Sequence, residues 1–476
     1  AHLERCGEQA LIEDGVIPGT FMMTYGTEIQ PKVSILLAVS DSGGGIGNAV
    51  HSILSMTDYP DYEIRVLIGP AVPDAVADRL KTFQKGSTAL HVERCTHKLS
   101  SAHLNQLAGD SSGDLLVWLN ENTLVLQKAW LARLVSTGQR DAVGVVGARI
   151  VNQKKILLGA GVVPGVGSRG AGSRMHVGLH MTSEGYMGRA QLTQETGAVP
   201  ALCLLVEKEQ FEQVGGFEKA LAVDLYRDID FCERIRDAGK QVVWTPHVTL
   251  MYVGAPGAID GVPDSEKQVD RETALLHERW LQHFSREPSF NRHLSLSRSD
   301  YSVDAVMAAA WNPDLDSLPR VLSFGVGSYG SWQYRVRQPL DVMQAEGMAQ
   351  CTHTVLASKE RIILPTVVDL ERLQPTTVLM HNTMHDDYLE AMEKYKRVNS
   401  AFIVFGQDDL MMALPSKNPF AKTIYKDIKK RVRKSLSLAD RLVVTTEPLA
   451  HALSSLVDDI RVVPNYLDES IWGGLQ

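Results

Sequence analysis

The stretch "PKVSILLAVSDSGGGIGNAVHSILSMTDYPDYEIRVLIGPA", residues 31–71, decides the fold. Its first part, 33–39, is continuously apolar, as expected of a strand that is buried on both faces. A Gly-rich turn follows, then helical spacing of apolar residues over 48–55 and a second apolar run at 62–68. A strand, a helix and a strand of this length predict a parallel pair joined by a right-handed crossover.

The same alternation continues along the chain. We predict a helix at 99–109 and a strand at 114–119, and this alternation is the pattern of an α/β fold. Residues 159–189 are Gly-rich with interleaved basic groups and show no periodicity, which predicts a long functional or mobile loop. Further on, the acids of "DLYRDID" are interpreted as an acidic turn that precedes a helix "FCERIRDAG".

Composition sets limits on the class of protein. The chain has 476 residues, of which 44% are hydrophobic and 22% charged, so we expect two or three soluble domains. A net charge of −8 argues against nucleic acid as a partner. The five cysteines form no CxxC pair, which argues against a disulfide framework or a zinc site and suits a reducing cytosol. We expect a cytoplasmic protein.

The chain divides into four predicted segments. A second α/β unit opens at Arg320, with strands "TTVLMHN", "SAFIVFG" and "RLVVTT". Between the two units the pattern becomes helical and polar, then Pro-containing. We therefore predict an adaptor at 1–30, a first α/β domain at 31–255, a helical connector at 256–318 and a second Rossmann-like domain at 319–476.

Polar side chains follow the predicted strands of the first domain. Ser40 and Asp41 follow the first strand, Gly69 the second, and the run Asn120, Glu121 and Asn122 the third. Ligands of open α/β sheets bind at the carboxyl ends of the strands. This edge is therefore the expected binding site, and the acidic turn with Asp224, Asp228 and Asp230 is the expected source of acid–base chemistry.

Four motifs together resemble the inverting glycosyltransferases of family 2, which have the GT-A fold. They are "PKVSILLAVSDS", "SSGDLLVWLNENT", "FEQVGGFEKAL" and "YRDIDFCERIRDAG". The resemblance covers about residues 31–255. It implies transfer of a sugar, with inversion, from a nucleotide-diphosphate donor to a hydroxyl of a glycan or lipid-linked glycan, as in surface polysaccharide synthesis. It also implies Mg²⁺ or Mn²⁺ as the usual cofactor.

The resemblance assigns roles to residues of this chain. Ser40 and Asp41 are expected near the nucleotide base, and Asn120, Glu121 and Asn122 occupy the slot of the metal-binding D-x-D motif. Asp228 occupies the position of the base that activates the acceptor. The acceptor side takes four further residues: Gly215, Gly216, Phe217 and Asp230. Acids at the start of a helix are also common without any catalytic role.

Three departures from the family point to a weakened metal site. The second strand ends in Gly69 where the family usually has an Asp, and Asn122 replaces the last acid of the D-x-D slot. Met251 and Tyr252 stand where a metal-ligating His is usual, while His247 lies where that strand is expected to begin. Hard divalent cations prefer anionic oxygen ligands, so Glu121 is the one candidate ligand left.

Two hypotheses account for these departures. In the first, basic side chains replace the metal at the diphosphate, and the candidates are Lys154, Lys155, Arg169, Arg174, His176 and Arg189. We place Arg174 with the donor-binding residues. In the second, the domain is a catalytically silent glycan-binding or scaffold protein. Each basic residue is equally compatible with a solvated loop.

The second domain resembles the N-terminal half of GT-B glycosyltransferases of family 4, on "LADRLVVTTEPLAHALSSLVDDIRVVPNYLD". The chain stops where the donor-binding half of a GT-B enzyme would start. We expect either a piece of a longer bifunctional enzyme or an acceptor-binding remnant. Arg335 and Arg337 are candidates for an anionic acceptor or for a solvated helix start. The basic segment 424–436 is amphipathic, which favours either peripheral contact with anionic lipid or a surface helix packed on its own sheet.

Overall fold

The computed structural model covers the whole chain. It describes all residues except 1, 6, 27–29, 41–42, 256–258, 260–264, 304–310, 312, 314–316, 326–329, 355–363, 416, 418–425, 467, 469–472 and 475–476. The backbone divides into two compact units, and short segments are exchanged between them at the boundary. The first comprises 1–291 and 297–302, and the second comprises 292–296 and 303–476.

The first unit is an α/β structure. Its strands are β1 (Ala10–Asp14), β2 (Phe21–Tyr25), β3 (Val33–Val39), β4 (Tyr62–Ile68), β5 (Leu90–Arg94), β6 (Leu115–Leu119), β7 (Thr123–Val125), β8 (Val143–Val151), β9 (Val162–Pro164), β10 (Gly172–Arg174), β11 (Gln194–Glu195), β12 (Cys203–Glu207) and β13 (Gln241–Tyr252). Its helices are α1 (His2–Arg5), α2 (Ile46–Met56), α3 (Asp74–Gly86), α4 (Ser101–Gly109), α5 (Trp130–Gly138), α6 (Lys208–Gln213), α7 (Asp224–Asp237) and α8 (Glu266–Ser285), with a 3₁₀ segment at Tyr186–Gln191.

A mixed sheet of nine strands forms the centre of this unit. The order is β11-β13-β8-β12-β6-β3-β4-β5, and β7 pairs with β13 beside this path. Strands β3 to β6 run parallel, while β12 is antiparallel to both of its neighbours, β6 and β8. The predicted parallel pair 33–39 and 62–68 is confirmed, residue for residue, by the register Val33↔Tyr62 to Val39↔Ile68.

Helices cover both faces of the sheet because its central strands are apolar on both faces. On one face Ile35 and Leu37 of β3 pack with Ile53 of α2 and Leu131 of α5. On the other, Trp118 of β6 packs in an aromatic cluster with three phenylalanines of the following segments: Phe211, Phe217 and Phe231. The alternation of strand side chains therefore assigns each face to a different set of helices.

The second unit is a doubly wound parallel sheet. Its strands are β14 (Arg320–Gly325), β15 (Gln350–Thr354), β16 (Thr377–His381), β17 (Phe402–Gln407), β18 (Arg441–Val444) and β19 (Ile460–Val462), in the order β15-β14-β16-β17-β18-β19. Its helices are α9 (Gly330–Trp332), α10 (Gln338–Ala345), α11 (Val367–Leu373), α12 (Asp386–Val398), α13 (Ile428–Leu438) and α14 (Glu447–Leu453), with a π segment at Gln333–Arg337 and a 3₁₀ turn at Met411–Ala413. The reversal of strand order between β14 and β16 is the switch point at which such sheets bind ligands.

The structure has the α/β class that the sequence predicts, and it differs from the prediction in two places. Helix α8 falls within the stretch that the sequence assigns to a connector, yet it packs on α7 inside the first unit. Residues 159–189 are not a featureless loop, because β9 and β10 form a hairpin there and many of its side chains are buried. The domain limits drawn from the sequence stay a prediction.

Candidate active site

The carboxyl ends of β3, β4 and β6 place the predicted donor-side residues along one edge of the sheet. Ser40 follows β3 and is exposed. Gly69 follows β4, and a Cβ at this position would lie 3.3 Å from the carbonyl oxygen of Ser40. Asp41 lies outside the described residues, so its predicted role at the nucleotide base stays a prediction.

Residues 120–123 form a tight turn between β6 and β7. The side-chain oxygen of Asn120 accepts the backbone N–H of Asn122 at 2.9 Å, and the N–H of Thr123 donates to the carbonyl of Asn120 at 2.9 Å. This is the pattern by which an Asn side chain closes a turn. The Asn120 side chain therefore has a structural role here, besides any contact with a donor.

The turn lies beside both the Gly-rich loop and the end of β13. A Cβ on Gly45, the residue before α2, would lie 2.2 Å from the side-chain oxygen of Asn122, so only glycine fits there without movement. The N–H of Val253 donates to the carbonyl of Asn122 at 2.9 Å, and Tyr252 pairs with Thr123 in the β-ladder. The two sequence departures, Asn122 and Tyr252, are thus neighbours in the fold.

These residues do not fit a tightly held divalent cation. The turn supplies one carboxylate, Glu121, and the Asn120 oxygen already accepts a backbone N–H. Tyr252 is buried, and its ring packs so closely over Gly254 that a Cβ there would lie 2.5 Å from the hydroxyl. His247 does not supply the ligand from the start of a strand either, because it lies inside β13 at an irregular stretch between Thr245 and Thr249. A Mg²⁺ or Mn²⁺ ion here would depend on the phosphates of a substrate for most of its anionic oxygen.

Asp228 is a buried carboxylate that faces this edge. The backbone N–H of Ala201 donates to its Oδ2 at 2.7 Å, while Nε and Nη2 of Arg227 donate to its Oδ1 at 3.1 and 2.9 Å. Each carboxylate oxygen has two lone-pair sites. The protein bonds therefore fill Oδ1 and leave one site on Oδ2 for a further donor such as a substrate hydroxyl.

Two consecutive residues connect Asp228 with the turn at 120–123. Ala201 binds Asp228, and the carbonyl of the next residue, Leu202, accepts the N–H of Asn120 at 3.2 Å. Consecutive Cα atoms are about 3.8 Å apart, so this link is short. The structure thus brings the predicted base and the predicted D-x-D slot to the same place. The sequence did not indicate that the backbone of Ala201 and Leu202 takes part in this arrangement.

Burial and, to a smaller extent, the neighbouring charge of Asp224 raise the pKa of Asp228 to about 6, against the opposing effects of Arg227 and the Ala201 N–H. A base is most effective when its pKa lies near the working pH. Perturbed carboxylates of this kind concentrate at functional sites, although structural networks also produce them.

The location of Asp228 corrects one expectation. The sequence predicts an acidic turn before a helix that starts at Phe231, but α7 begins at Asp224. Asp228 therefore lies in the second turn of a helix, where its N–H donates within the helix and the dipole of the helix end is weaker. Its anion is stabilised by Arg227 and Ala201 rather than by a helix terminus.

The Gly-Gly-Phe element, residues 215–217, supports the side chain of Arg227. Gly215 and Gly216 both have positive φ, 84° and 66°, a conformation that favours glycine at two successive positions. Asn105 holds the next residue at both ends: its side-chain oxygen accepts the N–H of Phe217 at 2.8 Å and its amide donates to the Phe217 carbonyl at 2.9 Å. The Arg227 guanidinium lies 4.7 Å from the centre of the Phe217 ring. Asn105, which the sequence presents as an ordinary helix residue, is thus part of this support.

Asp230 lies where α7 packs on α8. It is fully buried, and it accepts hydrogen bonds from Nε of Arg234 at 3.0 Å, Nη1 of Arg279 at 3.1 Å and Nε1 of Trp280 at 3.0 Å. Two of these partners come from α8. The carboxylate therefore joins α8 to α7, and its predicted place on the acceptor side stays a prediction.

The basic candidates of residues 154–189 are dispersed. Arg174 lies at the end of β10 opposite Val162, and its stem packs against Gly159. Arg169 pairs with Glu266 and Asp270, while burial and the charge of Arg189 lower the pKa of His176 to about 4. Lys154 and Lys155 are exposed in the turn after β8. The donor role of Arg174 stays a prediction.

In the second unit, the residues predicted to bind an acceptor or lipid have contacts within the unit itself. Arg335 Nη1 donates to the backbone carbonyl of Val463 at 2.5 Å, and Arg337 pairs with Asp341. In α13, Val432 and Leu436 are buried in the core of the unit. The apolar face of the segment 424–436 therefore cannot lie on lipid, which corrects the membrane hypothesis in its amphipathic form; residues 424 and 425 lie outside the described chain. Within the described residues, every helix is too short or too polar to span a bilayer.

Comparison with known proteins gives no match to a family model. The chain is 30% identical over 308 residues to the uncharacterized protein y4gI of Sinorhizobium fredii (strain NBRC 101917 / NGR234), which covers 64% of this chain and 34% of that protein. It is 28% identical over 309 residues to the O-antigen biosynthesis protein RfbC of Myxococcus xanthus, covering 63% of this chain and 23% of that protein. The chain thus spans about a third or less of the length of these curated relatives.

Two solved structures have a related backbone. One is the mannosyltransferase PcManGT from Pyrobaculum calidifontis in complex with GDP-Man and Mn²⁺, with 16% identity, a TM-score of 0.36, and coverage of 54% of this chain and 63% of that one. The other is GalNAc-T7 with UDP, GalNAc and Mn²⁺, with 15% identity, a TM-score of 0.42, and coverage of 55% and 53%.

Proposed function

We propose that the first unit is an inverting glycosyltransferase that uses a nucleotide-diphosphate sugar, with Asp228 as the general base. The observation that carries the proposal is the buried Asp228 carboxylate, bound through Ala201 and Leu202 to the Asn-Glu-Asn turn and left with one lone-pair site. The 28% identity with an O-antigen biosynthesis protein supports a role in the synthesis of a surface polysaccharide.

The reaction is a single displacement at the anomeric carbon. The acceptor hydroxyl, on a glycan or lipid-linked glycan, attacks that carbon while the bond to the nucleotide diphosphate breaks on the opposite face. The hydroxyl proton passes to Oδ2 of Asp228. On the donor side we keep Ser40, Asp41, Asn120, Glu121, Asn122 and Arg174, and on the acceptor side the Gly-Gly-Phe element.

We propose further that a divalent cation is not essential, since the turn at 120–123 offers only one carboxylate. When bound, such a cation would neutralise charge on the departing diphosphate. Release of nucleoside diphosphate should therefore persist in EDTA and change little on addition of Mn²⁺. Strict dependence on Mn²⁺ would show that the turn holds a metal in spite of its amides.

The decisive experiment compares Asp228→Asn with Asp224→Asn. Asp224 belongs to the same helix and pairs with the same arginine, but it is half exposed and does not contact Ala201. A nucleotide-sugar panel is first screened by thermal shift, because a ligand of the native state raises the melting temperature. For the best donor, Asp228→Asn should lower kcat about 10²- to 10⁴-fold, the range of general-base catalysis, and keep the thermal shift.

Asp224→Asn should change kcat only a few-fold. If both variants lose activity equally, the loss comes from the Arg227 network and the base assignment fails. A catalytically silent binding protein is the second candidate, favoured by the missing metal ligands. It would show a donor or glycan thermal shift in the wild type without any turnover.

We also propose that the second unit corresponds to the N-terminal half of a GT-B enzyme. Its parallel sheet and the switch point between β14 and β16 are compatible with this, and His381 at the end of β16 lies there, buried near Asp408 and Arg335. A thermal shift with acceptor glycans that His381→Ala abolishes would support it, and the absence of any glycan response would count against it.

A further inference from the structure

We propose that Cys95, His97 and His103 form a binding site for Zn²⁺ at the end of β5. One ligand atom of each residue lies within 4.8 Å of the others, the one such group among the described residues. Tetrahedral zinc with bonds of about 2.0–2.3 Å places its ligand atoms roughly 3.3–3.6 Å apart. A closure of about 1 Å, within the reach of side-chain rotation, therefore completes the site.

The three proposed ligands lie on the short segment that joins β5 to α4, and regular structure holds both ends of this segment. Cys95 directly follows β5, and its N–H continues the ladder by donating to the Ile68 carbonyl at 2.8 Å. His103 lies in the first turn of α4. A strand end and a helix start thus hold the outer ligands, while His97 lies on the connection between them, exposed to solvent.

Each imidazole is oriented by a hydroxyl group. Nδ1 of His103 lies 2.9 Å from Oγ of Ser100, and Nδ1 of His97 lies 3.0 Å from Oγ1 of Thr96. Ser100 is the residue before α4, yet its side chain caps no helix N–H. When Nδ1–H donates to the hydroxyl, Nε2 of each ring is left for a metal, which is the usual arrangement of metal-binding histidines.

The sulfur has a comparable partner. The backbone N–H of His97 donates to Sγ of Cys95 at a distance of 3.4 Å, a contact that orients the sulfur. Cys95 is free and half-buried. One thiolate and two imidazoles select zinc over the hard cations Mg²⁺ and Mn²⁺. This site is therefore chemically distinct from the oxygen ligands of the turn at 120–123.

Three protein ligands leave the fourth position of zinc open, as in catalytic rather than structural zinc sites. The segment lies next to the donor-side edge, since a Cβ on Gly69 would lie 3.5 Å from Cγ of Leu99 and 3.3 Å from the Ser40 carbonyl. The open position is filled by water or by an oxygen of a ligand bound at that edge. Zinc binding itself does not depend on the proposed transfer reaction.

The test is a zinc titration of the metal-free full chain under reducing conditions, against a competing chromophoric chelator. We expect one equivalent of tightly bound Zn²⁺. Cys95→Ser and His103→Asn should each weaken binding at least about tenfold, and Ser100→Ala should weaken it about 10- to 100-fold, the effect of losing a partner of a metal-bound histidine. Matched controls elsewhere, Cys351→Ser and His91→Asn, should leave the affinity unchanged.

Cobalt gives an independent readout of the sulfur ligand. The Co²⁺-substituted wild type should show a thiolate-to-cobalt charge-transfer band that Cys95→Ser loses and Cys351→Ser keeps. The proposal is overturned if the wild type binds no zinc, if Cys95→Ser and His103→Asn bind as tightly as the wild type, or if the cobalt protein lacks the band. Circular dichroism of each variant separates loss of the site from loss of the fold.

Discussion

Helix α7 buries Asp228 on one side and Asp230 on the other, and the two carboxylates differ in how their charge is balanced. Asp228 shares a single arginine, Arg227, with Asp224, and one lone-pair site on its Oδ2 is left open. Asp230 faces two arginines, Arg234 and Arg279, from two different helices. Both side chains are almost completely buried, so burial alone does not distinguish them.

The difference teaches how to separate a reactive acid from a structural one. A carboxylate whose charge is matched by arginines joins elements of the fold, as Asp230 does for α7 and α8. A carboxylate that shares too little positive charge is costly to ionise in the protein, and proteins retain such costs mainly at functional sites. On this criterion Asp228, rather than Asp230, is the residue that we propose for chemistry.

The largest expected effect comes from the same change made at both positions. Asp230→Asn leaves Arg234 without its carboxylate and Arg279 with Glu218 alone, and it should lower the free energy of unfolding by about 3–5 kcal/mol, the cost of breaking a buried ion pair. Asp228→Asn should change it by less than about 1 kcal/mol or raise it at pH 7, because the amide does not have to ionise. Urea-dependent hydrogen exchange of peptides from α7 measures both.

Equal destabilisation by the two substitutions would contradict this comparison, because it would mean that Asp228 is held as firmly by charge as Asp230. Hydrogen exchange is preferred over a single melting temperature, since a chain with two units need not unfold in one step.

The next effect is the pH dependence that Asp228 confers. Its pKa is raised to about 6, so the folded protein binds a proton that the unfolded chain releases at its ordinary value near 3.8. The stabilising contribution is present in full below about pH 3.8 and is lost as pH rises to about 6, a change on the order of 3 kcal/mol. Transfer activity should rise over the upper part of this window as the base becomes ionised.

Two profiles check this expectation: initial rate against pH, and free energy of unfolding against pH. In Asp228→Asn the downward slope of stability between about pH 4 and 6 should be reduced relative to the wild type. A rate that is flat between pH 5 and 7 in the wild type would argue against Asp228 as the base.

Much of this arrangement could be predicted from the sequence because it is local. The apolar run 33–39 and the Gly-rich turn after it predict a buried parallel strand and its crossover, and the structure has both. The full set of hydrogen bonds to Asp228 could not be predicted, because one donor is the backbone N–H of Ala201, which is distant in the sequence. The start of α7 was misplaced because acids suit a turn and a first helical turn equally well.

The contacts of the three residues proposed as zinc ligands, and those of Asp230, could not be predicted from the sequence either. Cys95, His97 and His103 follow none of the paired-cysteine spacings that identify zinc sites in a sequence, so only the path of the chain from β5 to α4 shows that they lie together. Asp230 looks like Asp228 in the sequence, and only the position of α8 shows that its partners are Arg279 and Trp280.

The smallest expected effect concerns Asn105, which acts on the Asp228 carboxylate only through Phe217 and Arg227. Asn105 holds both backbone groups of Phe217, and the Arg227 guanidinium rests on the Phe217 ring. Asn105→Ala removes two partly buried hydrogen bonds and should lower the free energy of unfolding by about 1–3 kcal/mol. The charge of Arg227 holds the pKa of Asp228 down, so a less firmly held Arg227 lets that pKa rise. The midpoint of the rate–pH profile should therefore move above about 6.

The matched control is Gln106→Ala on the exposed side of the same helix, which should alter neither quantity. A purely structural role for Asn105 would lower stability and leave the pH midpoint in place. A shift of the midpoint therefore tests whether the support beneath Arg227 reaches the Asp228 carboxylate. A shift to lower pH would contradict the argument, because it would mean that Arg227 approaches Asp228 more closely once Phe217 is released.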